Sequence, residues 1–147
     1  RDDLNGTDVA RKLLILARES GLDLELSDIE VESLVPSEFQ AIATAEEFLE
    51  AYKNNDAAFS KRFQEAKESN KCLRYIGIVE GKKAKVALAE VEMTHPTVSL
   101  SGSDNLVSFR TMRYNKHPLV IRGPGAGASV TAAGVLADIM RVTSYLS

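Results

Sequence analysis

Apolar residues recur at two different periods along this chain, and the periods divide it into elements. From Val9 to Ser20 they return every three or four positions, which predicts a helix. Val9, Leu13, Leu16 and Ala17 form its main apolar face, and Ala10, Leu14 and Ile15 widen it. Polar residues remain mainly at Asp8, Arg11, Lys12, Arg18 and Glu19, so burial on more than one side is expected. Asn5-Gly6 reads as a turn, Thr7 as the N-cap and Gly21 as the stop. Two further helices are predicted over 44–53 and 56–69, separated by Asn54-Asn55. Thr44 would cap the first, whose apolar side is Phe48 and Leu49. The second would turn Ala58, Phe59, Phe63 and Ala66 inward, with Lys61, Arg62, Glu65 and Lys67 outward. This pair carries no chemistry and reads as a cover over a sheet.

Alternation of period two marks the strands. Ile29 to Val35 is a short one ending at Pro36. Lys71 to Val79 and Lys83 to Val91 are joined by Glu80-Gly81-Lys82, a turn of hairpin length. Both faces of that hairpin are half apolar, so a sheet covered on both sides is expected. A further strand is predicted over Asn105 to Arg113, and a short buried one over Leu119 to Arg122. A last helix runs from Val130 to Leu146. The fold class is therefore α/β in an α+β arrangement: a mixed sheet of four or five strands, with helices packed on one face.

Composition narrows the function classes. A chain of 147 residues, 44% hydrophobic and 27% charged, has the makeup of a soluble globular domain. A net charge of −3 points to neither nucleic acid nor an anionic membrane surface. The single cysteine, Cys72, excludes an internal disulfide framework and suits a reducing compartment. The chain opens on Arg1-Asp2 without methionine, so a processed or excised piece of a longer product is expected. His95 and His117 each precede a proline and lack a partner at metal-ligand spacing; both read as loop residues. Asp28 and the neighbouring glutamates lack the loop geometry of a hard-cation site. Ser101, Ser103 and Ser129 lack the surroundings of a serine nucleophile.

Two stretches carry candidate chemistry. Asp8 and Lys12 are four apart, hence on one helix face. They are either a surface ion pair or a lysine held by a carboxylate for proton transfer. Arg122-Gly-Pro-Gly-Ala-Gly127 is a strand, a glycine loop and a helix start. Gly123-x-Gly125-x-x-Ala128 formally fits the dinucleotide fingerprint. It lacks the second strand and the acidic residue about 20 positions on, and Pro124 is foreign to the first turn. Close backbone approach and the following helix N-terminus leave a structural turn and a ligand-facing loop both open.

The stretch Asp2-Asp3-Leu4-Asn5-Gly6-x-Asp8-Val9-Ala10-Arg11-Lys12 resembles the signature of homoserine dehydrogenases, above all the form fused to aspartokinase. Gly21 to Pro36, Leu73 to Gly77, Leu100 to Asn105, Arg122 to Gly127, Val130 to Gly134 and Ala137 to Ile139 extend the resemblance along nearly the whole chain. It implies an NAD(P)H-dependent reduction of aspartate 4-semialdehyde to L-homoserine, with NADP or NAD as cofactor. It implies Lys12 as proton donor, Asp8 as partner of the substrate amino group, and Asp3 as a second acidic residue near the site. Gly127, with Gly125, would border the cofactor. By the same resemblance, residues 1–122 form the substrate-binding and dimerisation domain. Residues 123–147 return to a nucleotide-binding Rossmann domain that precedes this segment, along with a further substrate glutamate and a second lysine. Thr131, Ala132 and Gly134 would pack the last helix on that domain. Without it, the face of Ala132, Ala133, Leu136, Ile139 and Met140 needs another partner or stays exposed.

The implied assembly is a homodimer packed sheet on sheet, in bacterial cytoplasm or plastid stroma. The resemblance further implies that these 147 residues alone neither hold NADPH tightly nor turn over; micromolar NADPH binding in a fluorescence titration would refute that. The rival class is a non-catalytic dimerisation module of a larger polypeptide. A third, an unrelated nucleotide-binding protein, would need the missing strand and acidic residue.

Overall fold

The computed structural model describes residues 4–53 and 56–146, and within them the side chain of Ala58 also lies outside the description. The predicted break at Asn54-Asn55 falls outside the described residues, as does Asp3. The chain divides into two units, residues 1–93 and 94–147.

In the first unit, helix α1 spans Thr7–Glu19. The predicted cap moves back one place. Gly6 is the N-cap, in the left-handed region at φ 84°, and Thr7 makes no side-chain cap. The Asn5 Oδ1 accepts the Thr7 N–H at 2.9 Å, so the first free donor is met before Thr7 is reached. The far end closes as the sequence indicates. Gly21, at φ 86°, lets its own N–H reach the Arg18 carbonyl at 2.9 Å and the Leu22 N–H reach the Ala17 carbonyl at 3.0 Å.

Strand β1 is Ile29–Val31, and helices α2 and α3 are Ala45–Tyr52 and Asp56–Glu68. Strands β2 (Lys71–Glu80) and β3 (Lys83–Glu92) form an antiparallel hairpin, with Glu80 opposite Lys83. β1 lies parallel to β3 on its other side, giving the order β1-β3-β2 and a mixed sheet. The core lies between α1 and one sheet face: Ala10, Leu13 and Ala17 meet Leu24, Ile29, Ala84 and Val86, with Tyr75 and Val79 packed alongside. Each of the leucine, isoleucine and valine side chains, if withdrawn fully from water, contributes roughly 1.5–3 kcal/mol. Burial of α1 is one-sided within this unit, because Ile15 is 61% exposed, which corrects the expectation of burial on more than one side.

Three more expectations in this unit change. β1 ends at Val31 rather than Val35 because side chains replace its ladder. The Glu32 N–H still reaches the Val86 carbonyl at 2.8 Å. Beyond it, the Glu32 carboxylate accepts the Leu88 N–H, while Arg62 donates to the Leu88 carbonyl. Arg62, expected to point outward, is thereby turned onto the sheet edge, whereas Phe63, expected inside, is 60% exposed. Thr44 does cap α2, accepting the Glu47 N–H at 3.3 Å.

In the second unit, β4 (Asp104–Phe109) and β5 (Leu119–Pro124) pair antiparallel, and α4 spans Ala128–Leu146. β4 stops at Phe109 rather than Arg113, and the Thr111 hydroxyl accepts the Tyr114 N–H in a turn beyond it. β5 is not buried: Leu119, Val120 and Ile121 are all exposed. No described residue of α4 is buried either, and Leu136, Ile139 and Met140 lie open. Among the described residues, five strands and four α-helices form the molecule, and no helix is long and apolar enough to cross a membrane.

Candidate functional site

The first two turns of α1 bring two of the sequence-derived residues together. Lys12 Nζ lies 2.9 Å from Asp8 Oδ2, with the two side chains 61% and 66% exposed. As an isolated surface pair with this spacing it would contribute about 0.3–0.5 kcal/mol to the helix. Such a value gives no stability reason to place both charges here. The pair stands on the solvent side of a helix whose other side, Ala10, Leu13 and Ala17, is sealed onto the sheet. Asp8 also lies in the first turn, where a negative charge suits the helix dipole.

The chain on either side of this turn is tightly held. Gly6 is buried, and a Cβ there would collide with the Tyr75 hydroxyl and come within 2.7 Å of Val31 Cγ1. The Tyr75 hydroxyl donates to the Glu32 carbonyl at 2.7 Å. Burial first, and the Glu32 charge second, push the Tyr75 phenol above its ordinary pKa. The Leu34 N–H donates to the Leu4 carbonyl at 3.0 Å. A cleft of about 350 Å³ opens beside the turn, lined by Asn5, Thr7, Ser33, Val35 and Gln40. Nothing in the hydrophobic pattern marked Gly6, Tyr75 or Glu32 as neighbours of this turn. The signal available was Asn5-Gly6, read as a turn without its contact.

The glycine loop belongs to the second unit, and its glycines differ. A Cβ on Gly125 would strike the Asn105 side chain, and the Gly125 N–H donates to the Ser103 carbonyl at 3.0 Å. A Cβ on Gly127 would meet nothing within 4 Å, but Gly127 holds φ 127°, a region that side chains disfavour. The Gly127 carbonyl starts α4 by accepting the Thr131 N–H at 3.0 Å. The crowding at Gly125 comes from Asn105 of β4.

Two other polar residues have structural partners. The His95 Nδ1 and the Thr97 hydroxyl share a hydrogen bond at 2.7 Å. Arg122 Nε lies 2.9 Å from Asp104 Oδ2 and ties β5 to β4. Among the described residues, no group of three or more histidine, cysteine, aspartate or glutamate side chains could hold a metal ion.

Comparison with known proteins bears on which of the open readings applies. Residues 1–140 match the homoserine dehydrogenase family model. The chain is 51% identical, over 99% of its length, to a chloroplastic bifunctional aspartokinase/homoserine dehydrogenase of Arabidopsis thaliana, covering 16% of that protein. It is 45% identical to a homoserine dehydrogenase of Schizosaccharomyces pombe, covering 99% of this chain and 40% of that one. In structure it is similar to a Candida auris protein of unknown function, with a TM-score of 0.90, 48% identity, and 98% and 41% of the two chains covered. It shares its fold with a Staphylococcus aureus homoserine dehydrogenase, at a TM-score of 0.70, 19% identity, and 99% and 32% coverage. The chain thus spans between 16% and 41% of the length of these relatives. With its signature helix, its mixed sheet and 140 matched residues in agreement, the chain belongs to the homoserine dehydrogenase family.

Proposed function

We propose that this chain is the substrate-binding and dimerisation part of an enzyme interconverting aspartate 4-semialdehyde and L-homoserine in amino-acid biosynthesis. The observation that carries the reading is the ion pair of Asp8 and Lys12, exposed on the first two turns of an anchored helix. A nicotinamide cofactor would supply hydride to the aldehyde carbon in its reduced form, NADPH or NADH, and would accept it back in its oxidised form, NADP or NAD. As the aldehyde oxygen gains negative charge, the Lys12 ammonium donates a proton to it; in the reverse direction Lys12 Nζ accepts the hydroxyl proton. Asp8 pairs with the α-ammonium of the substrate. Its carboxylate accepts through both oxygens, so holding Lys12 at Oδ2 leaves capacity for a second cation. Asp3, outside the described residues, is a second acidic candidate for substrate binding. Gly127 gives the cofactor ring a backbone without a side chain, and Gly125 shapes the loop that presents it.

By role, residues 1–122 bind substrate and dimerise, and residues 123–147 pack on the nucleotide-binding domain of the complete enzyme. The exposed apolar side chains of α4, Leu136, Ile139 and Met140 among them, support that packing. Ile76, Ile78, Ala87 and Ala89 share the sheet face opposite Tyr75 and Val86 and are half-buried, which supports a homodimer packed through that face. The complete enzyme would work in bacterial cytoplasm or plastid stroma, the latter in keeping with relatives named as chloroplastic.

The test is Lys12→Ala in the complete enzyme. Turnover should fall by at least about 100-fold, the usual scale for a lost proton donor, with the dimer intact by sedimentation. Loss of dimer with turnover retained per folded dimer would favour the alternative, a non-catalytic dimerisation module.

A further inference from the structure

We infer that Tyr75 is a positioning residue for the turn that carries Asp8 and Lys12, acting through Gly6 and Glu32. The inference rests on the assignment of Asp8 and Lys12 to the substrate.

Tyr75 stands near the middle of β2, paired in register with Leu88 of β3, on the sheet face that α1 covers. Its ring ends against the N-cap of α1: at Gly6 no side chain fits above the Tyr75 hydroxyl. The same hydroxyl donates to the Glu32 carbonyl at 2.7 Å. Glu32 is held at its other end, because its carboxylate receives Arg62 Nη1 at 2.7 Å and the Leu88 N–H at 3.2 Å. Arg62 Nη2 also donates to the Leu88 carbonyl at 3.1 Å. The segment after Glu32 returns to the start of the helix, where the Leu34 N–H meets the Leu4 carbonyl at 3.0 Å. A continuous chain of contacts therefore runs from the β2–β3 hairpin to the residues just before α1.

Asp8 follows Gly6 by two residues and Lys12 follows Asp8 by one helical turn. A small tilt of the first turn moves both groups together. Misplacement of reacting groups by about 1 Å can cost on the order of 100-fold in rate. The Tyr75 hydroxyl is the element of this chain that a conservative change removes cleanly, since phenylalanine keeps the ring.

The experiment compares Tyr75→Phe and Lys12→Ala in the complete enzyme. Tyr75→Phe should raise the homoserine KM about fivefold, the scale of one net hydrogen bond, and leave the cofactor KM unchanged. A merely structural role would reduce the folded fraction, lowering turnover per total protein while leaving the homoserine KM and kcat per folded enzyme at their wild-type values. An unchanged homoserine KM and an unchanged kcat per folded enzyme in Tyr75→Phe, with turnover abolished in Lys12→Ala, overturn this inference alone. Wild-type turnover in Lys12→Ala overturns the catalytic assignment and this inference with it. Should Tyr75→Phe fail to fold, Arg62→Gln releases Glu32 from a half-exposed position, and the same rise in homoserine KM is required of it.

Discussion

Gly125 and Gly127 lie two residues apart in one loop, yet different forces keep them glycine. At Gly125 the obstacle is the Asn105 side chain, and at Gly127 it is a backbone angle of φ 127° with open space around it. The fingerprint spacing in the sequence treats the two alike, because it encodes chain position and not which neighbour crowds each residue. The difference is measurable. Gly125→Ala should destabilise the enzyme by about 1–3 kcal/mol through overpacking, and Asn105→Ala added to it should restore most of the loss. Thermal melts of the single and double variants check this, and a double variant that stays as unstable as the single shows that something other than Asn105 requires Gly125. Asp8 and Lys12 were legible because helix geometry places residues four apart on one face. Tyr75 and Glu32 were not, since their hydrogen bond joins residues 43 apart in sequence and no local period encodes such a contact.

At the scale of elements, what could be read depended on how local each determinant was. The β2–β3 hairpin follows from alternation and a short turn, and its register runs unbroken from Lys71↔Glu92 to Glu80↔Lys83. The end of α1 at Gly21 and the start of α2 at Thr44 are equally local. β1 was overextended because Ser33 and Val35 continue the alternation. In the structure the Ser33 hydroxyl accepts the Val35 N–H at 3.0 Å, and Glu32 and Arg62 take over the edge of β3. Polar side chains thus close a sheet edge that the hydrophobic pattern would have extended. β5 illustrates a different limit. An apolar strand such as Leu119-Val120-Ile121 reads the same whether its own chain or another surface covers it, and here it is exposed.

At the scale of the whole molecule, the chain covers only part of the length of its relatives. It matches its family over residues 1–140 but spans only 16% of the Arabidopsis relative and 40% of the fission-yeast one. Its first unit has its own core, whereas α4 exposes Val135, Leu136, Ile139, Met140 and Val142 together. Neighbouring exposed apolar side chains of this kind support the proposed packing of α4 on a further surface. On this account the charged turn of α1 faces the reacting end of the substrate once the enzyme is complete. The most direct measurement is the distance from Lys12 Nζ to the homoserine hydroxyl oxygen in a crystal structure of the complete enzyme with homoserine and oxidised cofactor. The account predicts hydrogen-bond reach, about 2.6–3.2 Å, with the Asp8 carboxylate on the substrate ammonium. A Lys12 amine left in bulk solvent, with the Asp8 carboxylate turned away from the ligand, would contradict it.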